Sequence, residues 1–415
     1  MDDLSISRHS CEAMDHADPL AHARGRFILP KGMVYLDGNS LGALPASAHR
    51  RVSDVVVREW GSDLVRSWNT NGWITLPARI GRQIASLIGA EADEVIVADS
   101  TSANLFKLVA AAVLAQAPRC VVVSEQGNFP TDLYVLQGLE QLLGGKITLR
   151  LARRAEIVSA LSGDVALVVL THVHYKTGEL HDMRALTKSA HDCGALMLWD
   201  LSHSAGAMDL FLNRDEVDLA VGCGYKYLNG GPGAPAFLYV ARRHQERLCQ
   251  PLSGWMGHAA PFDFIDDYTP ASGIARYLCG TPAVLSMAAL QEGVATFGDI
   301  AMTHVREKSK RLGDTFLALV EERCSEAGFE IACPRDAERR GSQVALRHRR
   351  GYEIVQALIA RAVIGDFRAP DVLRFGFGPL YTRYVDVWDA VDRLSRIMLD
   401  GSWRDERYRI RAAVT

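Results

Sequence analysis

The chain has 415 residues, 48% of them hydrophobic and 23% charged, which is enough apolar side chain for two or three ordinary domains and excludes a disordered or collagen-like protein. Lysine and arginine total 46 against 49 for aspartate and glutamate, and the net charge of -3 excludes binding that depends on neutralising a nucleic-acid backbone. Eight cysteines without a CxxC pair (Cys11, Cys120, Cys193, Cys223, Cys249, Cys279, Cys324, Cys333) exclude a dense disulfide framework and predict free thiols in a reducing cytoplasm.

The chain opens on residues 1–45, where Pro30, Gly32, Gly38, Gly42 and Pro45 predict an extended arm with turns, packed on a small domain. Its first stretch, MDDLSISRHSCEAMDHADPL, has neither a basic head nor an apolar centre, so no signal peptide is predicted. Between residues 94 and 240 short apolar runs alternate with amphipathic stretches. The runs are EVIVAD (94–99), RCVVVSE (119–125), DVALVVLTHV (164–173), ALMLWD (195–200), VDLAVGCG (217–224) and APAFLYV (234–240). Continuous apolarity is what a strand covered on both faces requires. Between them, NLFKLVAAAVLAQ (104–116) and DMRALTKSAHDCG (182–194) have helical period. This order predicts a large α/β domain over residues 46–295, with a mostly parallel sheet and helices on both faces. Beyond it, VREKSKRLGDTFLALVEERCSEAG (305–328) is a charged amphipathic helix, and SQVALRH (342–348) and VLRFGF (372–377) read as strands of a smaller α+β domain over residues 296–415. No apolar run approaches the roughly 20 residues of a membrane span.

Ligands of an open parallel sheet sit at the carboxyl ends of its strands. The residues just past the runs are Ser100, Thr101 and Ser102; Asn128, Phe129 and Asp132; Thr171 and His172; Asp200, Ser202 and His203; and Tyr225 and Lys226. Each has a plain structural reading. The three hydroxyls can cap a helix starting near Asn104, Asp200 can cap the turn after it, Phe129 can be core, and a lysine is ordinarily solvated. Lys226, however, falls in a Gly/Pro-rich turn between two buried runs, and a desolvated lysine has a lowered pKa and attacks aldehydes. Hydroxyls at a helix start suit a phosphate monoester, and a buried carboxylate suits a protonated ring nitrogen. Taken in order, the set describes a pyridoxal phosphate site: Lys226 for the Schiff base, Asp200 for the pyridine nitrogen, Thr101 and Ser102 for the phosphate, Phe129 over the ring. A weaker reading makes His172 and His174 metal ligands with His181 or His203, and another makes Cys279 a thiol nucleophile; no metal is predicted.

The segments YLDGNSLG (35–42), GNFPTDLY (127–134), LTHVHYKTG (170–178), WDLSHSAGA (199–207), AVGCGYKYLNGGPGAPAF (220–237), PLSGWMGH (251–258), GIARYLCGT (273–281) and VIGDFRAPDVLRFGFGPLYT (363–382) resemble the kynureninase family along nearly the whole chain. The resemblance implies a fold type I pyridoxal phosphate enzyme, a homodimer with shared active sites. It implies cleavage of L-kynurenine to anthranilate and L-alanine in tryptophan catabolism, with 3-hydroxykynurenine as a second candidate substrate. Carried over by position, Lys226 bears the cofactor, Asp200 pairs with its ring nitrogen, and Phe129 stacks on the ring beside Asp132. Thr101, Ser102, Tyr225, Trp255 and Thr281 surround the phosphate, the last two from the neighbouring subunit. Thr171 and His203 line the cofactor, Tyr225 relays a late proton, and Arg374 pairs bidentately with the substrate carboxylate. Another lyase or desulfurase of the same fold is the alternative; Trp68, Trp73, Phe129 and Trp255 suit an aryl-ketone amino acid better.

Overall fold

The computed structural model describes residues 6–411; residues 1–5 of the predicted arm and 412–415 of the predicted small domain lie outside the described residues. The arm is not wholly extended as its Gly/Pro content predicts. Ser7 caps a helix, α1 (Arg8–His16), by accepting the Ser10 N–H at 3.0 Å, and Cys11 anchors that helix in the core. Further on, Val34–Tyr35 pairs in parallel with Val363–Ile364 near the other end of the chain. Residues 37–42 then pass between two bodies of structure: the Gly38 N–H donates to the Gly376 carbonyl at 3.2 Å and the Gly42 N–H to the Tyr225 carbonyl at 2.8 Å. Only glycine allows this approach at Gly42, where a Cβ would lie 2.3 Å from the Lys226 carbonyl oxygen.

The central sheet has seven strands: β1 (Val95–Val97), β2 (Val121–Glu125), β3 (Thr148–Ala152), β4 (Val165–Thr171), β5 (Leu196–Asp200), β6 (Leu219–Gly222) and β7 (Phe237–Val240). Their spatial order is β1-β7-β6-β5-β4-β2-β3. The pairs from β6 through to β3 are parallel, and β7 runs antiparallel to both its neighbours, β1 and β6. Each predicted apolar run supplies a strand. The pattern misses β3 because it is an edge strand whose side chains, apart from Ala152, are exposed or half-buried. Alternate residues of β5 explain the continuous apolarity. Leu196 and Leu198 pack into a core with Leu105 and Leu108 of α2 (Thr101–Ala115), while Met197 and Trp199 face the opposite core with Met183 and Ala190 of α4 (Met183–Asp192). Between them, α3 (Pro130–Leu142) follows β2. Helix α2 starts at Thr101 and not near Asn104, because the Ser100 hydroxyl caps it by accepting the Ala103 N–H at 3.3 Å.

Past residue 300 come α5 (Met302–Arg323), an antiparallel sheet of β8 (Glu330–Ile331), β9 (Gln343–Arg347), β10 (Asp366–Arg368) and β11 (Val372–Gly376) in the order β8-β9-β11-β10, and α6 (Tyr384–Asp400). Cys11 and Leu36 of the arm share its core with Leu312, Phe316 and Leu394. The arm also caps α6, since the Asp15 carboxylate accepts the Tyr384 and Val385 N–H groups at 2.7 and 3.1 Å. All eight cysteines are unpaired. Among the described residues no helix is long and apolar enough to cross a membrane.

Candidate active site

The carboxyl ends of β1, β2, β4, β5 and β6 bring the predicted residues to one edge of the sheet. The turn after β6 places Lys226 Nζ 2.9 Å from His203 Nε2, 5.7 Å from the centre of the Phe129 ring and 5.8 Å from that of Tyr225. On its other side, His203 Nδ1 lies 3.2 Å from Gln343 Oε1 of β9. An amide oxygen only accepts, so Nδ1 carries the imidazole proton and Nε2 accepts from Lys226. Burial, then the charges of Lys226 and Arg374, hold the histidine well below its ordinary range, and the ring stays neutral.

Two carboxyls sit beside this lysine. Asp200, the last residue of β5, accepts the Ser202 N–H at 2.8 Å. Asp132, in the first turn of α3, accepts the Thr171 hydroxyl at 3.1 Å and the Asn128 amide at 3.4 Å, while its Oδ1 is buried without a hydrogen-bond partner among the described residues. Burial raises the proton affinity of both, the like charge of Asp200 raises that of Asp132 further, and Lys226 opposes the rise in each. Phe129, held at the N-cap of α3 ahead of Pro130, keeps 36% of its surface open and meets Tyr175 edge-on at 5.3 Å. At the start of α2 the Ser100 oxygen is committed to its cap, whereas the hydroxyls of Thr101 and Ser102 have no hydrogen-bond partner among the described residues. An open aromatic face, an amine, an unpartnered carboxyl oxygen and free hydroxyls at a helix start suit the ring, aldehyde and phosphate of pyridoxal phosphate.

Other predicted residues are placed differently. Trp255, 37% exposed, meets Phe262 edge-on at 5.6 Å, and Thr281 is exposed in a groove lined by Trp60, Trp68 and Trp73. Among the described residues neither makes a hydrogen bond or ring contact with the Lys226 cluster. Arg374 is 2% exposed, and its Nε and Nη2 are already taken by Asp366 opposite it on β10, with Nε to Oδ1 at 2.7 Å. Its Nη1 donates to the Tyr175 carbonyl and Nη2 also reaches Ser40 Oγ at 3.3 Å. The bidentate pairing expected with a substrate carboxylate is therefore taken by Asp366, and of the five guanidinium N–H groups one, on Nη1, is left for a substrate. The histidines of the metal reading are spent elsewhere: His172 meets Ser204 Oγ at 3.0 Å, His174 the Gly127 carbonyl at 3.2 Å, and His181 the Glu125 carboxylate at 2.7 Å. No group among the described residues is arranged to hold a metal ion. The Cys279 thiol donates to Asp99 at 3.6 Å. Sequence reasoning misses Gln343, Asp366 and Ser40, because nothing in an apolar strand or a Gly-rich turn tells which polar side chain turns inward.

A profile of the kynureninase C-terminal domain matches residues 305–394. A protein named kynureninase from Burkholderia mallei (strain SAVP1) is 51% identical over 414 residues, covering 99% of this chain and 100% of the relative. One of the same name from Pseudomonas fluorescens is 48% identical over the same coverage. Among solved structures, the apo cysteine desulfurase of Thermococcus onnurineus NA1 aligns with a TM-score of 0.75 at 18% identity, covering 92% of this chain and 98% of that one. A C-DES mutant with glycine covalently linked to its PLP cofactor aligns with a TM-score of 0.78 at 15% identity, covering 90% and 98%. At such identities these two share the fold type I architecture and carry nothing further about this chain.

Proposed function

The chain belongs to the kynureninase family, and from that premise we propose which of its residues do the work. The enzyme uses pyridoxal phosphate and cleaves L-kynurenine, releasing anthranilate and L-alanine. The observation that carries the assignment of residues is the Lys226 amine, set against a neutral His203, an open Phe129 face and two buried carboxyls. Pyridoxal phosphate, when bound, draws electrons from the bonds at the substrate Cα and makes the bond beside the γ-carbonyl open to hydrolysis.

Lys226 would hold the cofactor aldehyde and move the proton at the substrate Cα. His203 accepts from Nζ and fixes its direction. Asp200, held by Ser202, keeps a proton on the cofactor ring nitrogen. Thr101 and Ser102, with the free N–H groups of α2, hold the phosphate, and Phe129 covers the ring while Asp132 and Thr171 line its edge. Burial holds the Tyr225 phenol protonated, which suits a late proton donor. Arg374 receives the substrate carboxylate through its charge and the one N–H left on Nη1.

The same reading includes a homodimer in which Trp255 and Thr281 complete the partner's phosphate site. It is supported by the exposed Trp60 and Leu285, which line the Thr281 groove with Trp68 and Trp73. Light scattering is expected to give the mass of two chains, and the mass of one contradicts it. The reading also divides the chain into an arm (1–45), a large domain (46–295) and a small domain (296–415). Unpaired thiols support a reducing compartment, the cytoplasm. Adding L-kynurenine to the holoenzyme tests the whole: anthranilate fluorescence is expected, whereas sulfide from cysteine without anthranilate favours the desulfurase alternative.

A further inference from the structure

Four charges meet where the arm crosses the small domain, beside the His203 that Lys226 contacts. Asp366 is held by Arg374 across the β10–β11 ladder, by Arg368 Nη2 at 2.8 Å and by the Ser40 hydroxyl at 2.8 Å. The fourth charge comes from the arm. Asp37 bridges to Gly376, two residues past Arg374 on β11, and its backbone oxygen accepts the Ser40 and Leu41 N–H groups at 3.0 Å each. Its Oδ1 is enclosed with no hydrogen-bond partner among the described residues. Two guanidinium groups against two ionised carboxyls sum to zero, and an incoming carboxylate then meets no net attraction. One neutral carboxyl leaves a charge of plus one at the guanidinium that receives the substrate. Asp366, with two arginines and a hydroxyl on its oxygens, is the carboxyl held ionised, although burial alone works against it.

We propose that Asp37 carries a proton in the enzyme form that binds substrate, and that losing this proton weakens the hold of Arg374 on the substrate carboxylate. The proposal rests on the reading of Arg374 as the carboxylate anchor. Burial and the facing Asp366 raise Asp37 to about 7, with the Ser40 hydroxyl, Arg374 and Arg368 pulling the other way. The phenols of Tyr35, Tyr227 and Tyr381 also face it, and burial keeps each of them neutral. His203, which the charges of Arg374 and Arg368 also face, is already neutral in this range. Asp37 is thus a positioning residue: it sets the charge of the anchor without touching the reacting atoms.

The test is equilibrium binding of 3-benzoylpropionate to the holoenzyme, followed by calorimetry. This probe keeps an aryl ketone and a carboxylate, has no amine, and does not itself titrate near neutrality. For the unaltered enzyme, Kd is expected to rise roughly tenfold from about pH 6 to about pH 8, with close to one proton taken up on binding at the upper pH. Asp37→Asn should show a flat Kd and no such uptake. Should that variant fold poorly, Asp37→Ser or the proton uptake of the unaltered enzyme gives the same reading. Arg374→Met separates the two ideas. If it weakens the probe at both pH values while Asp37→Asn keeps the original pH dependence, the proton on Asp37 is overturned alone. If Arg374→Met binds the probe unchanged, the anchor reading falls and the proposal with it.

Discussion

Lys226 and His203 each fix what the other can do: the imidazole has one lone pair and spends it on the amine, and Gln343 decides which nitrogen that is. On the proposed assignment, removing the amine removes both cofactor attachment and the base. Lys226→Ala is expected to lose the visible absorbance of the lysine-bound cofactor together with turnover, and turnover retained by that variant contradicts the assignment. Asp200→Asn keeps the shape at the end of β5 but cannot hold a charged ring nitrogen. Cofactor should remain bound while exchange of the substrate Cα proton, followed by NMR in heavy water, slows by roughly 10²- to 10⁴-fold. These side chains were legible because each follows an apolar run and so lies at a strand end. Gln343 and Asp366 were not, since they reach the site from the small domain, where the pattern locates strands without saying which polar group points inward.

Helix α2 shows how an element positions chemistry. Its cap is Ser100, which leaves Thr101 and Ser102 at the first turn with their hydroxyls free. Ser100→Ala should cost about 1 kcal/mol of stability in urea unfolding and weaken cofactor retention, because on the proposed assignment the same turn holds the phosphate. Beneath the arm, β11 is as constrained: a Cβ on Gly376 would stand 1.8 Å from Asn39 Oδ1. Gly376→Ala is expected to lose about 1–3 kcal/mol by overpacking, read from the shift in the urea midpoint. The sequence pattern located the buried strands well and the edges poorly. Strand β3 lacks a second covered face, and the antiparallel direction of β7 is set by its neighbours β1 and β6, which no local pattern encodes. Helix α1 was hidden because its stability comes from packing on α6, far along the chain.

Across the whole molecule, distant segments are joined by charged contacts as well as by core. Asp218 joins the end of α4 to β5 and to the segment after β7, accepting from His191 at 2.8 Å, the Met197 N–H at 2.8 Å, Arg243 at 2.8 Å and His244 at 2.6 Å. Burial alone would raise its proton affinity, but the bonds from His191, His244 and Met197 outweigh it and hold the group far below the ordinary aspartate value. A depressed carboxylate stabilises the fold fully above its unfolded pKa, roughly 4, and loses that contribution as pH falls below it. Asp218→Asn should therefore flatten the acid limb of a stability-versus-pH curve while lowering stability near neutrality; an unchanged limb contradicts this. Residues 37–42 tie the lysine turn to β11, with Gly42 bonded to Tyr225 and Gly38 to Gly376. The most direct measurement of the account is chemical: reduce the holoenzyme with borohydride, digest it, and map the pyridoxyl-phosphate adduct by mass spectrometry. The adduct is predicted on the peptide containing Lys226 and on no other lysine; finding it elsewhere, or finding none, contradicts the account.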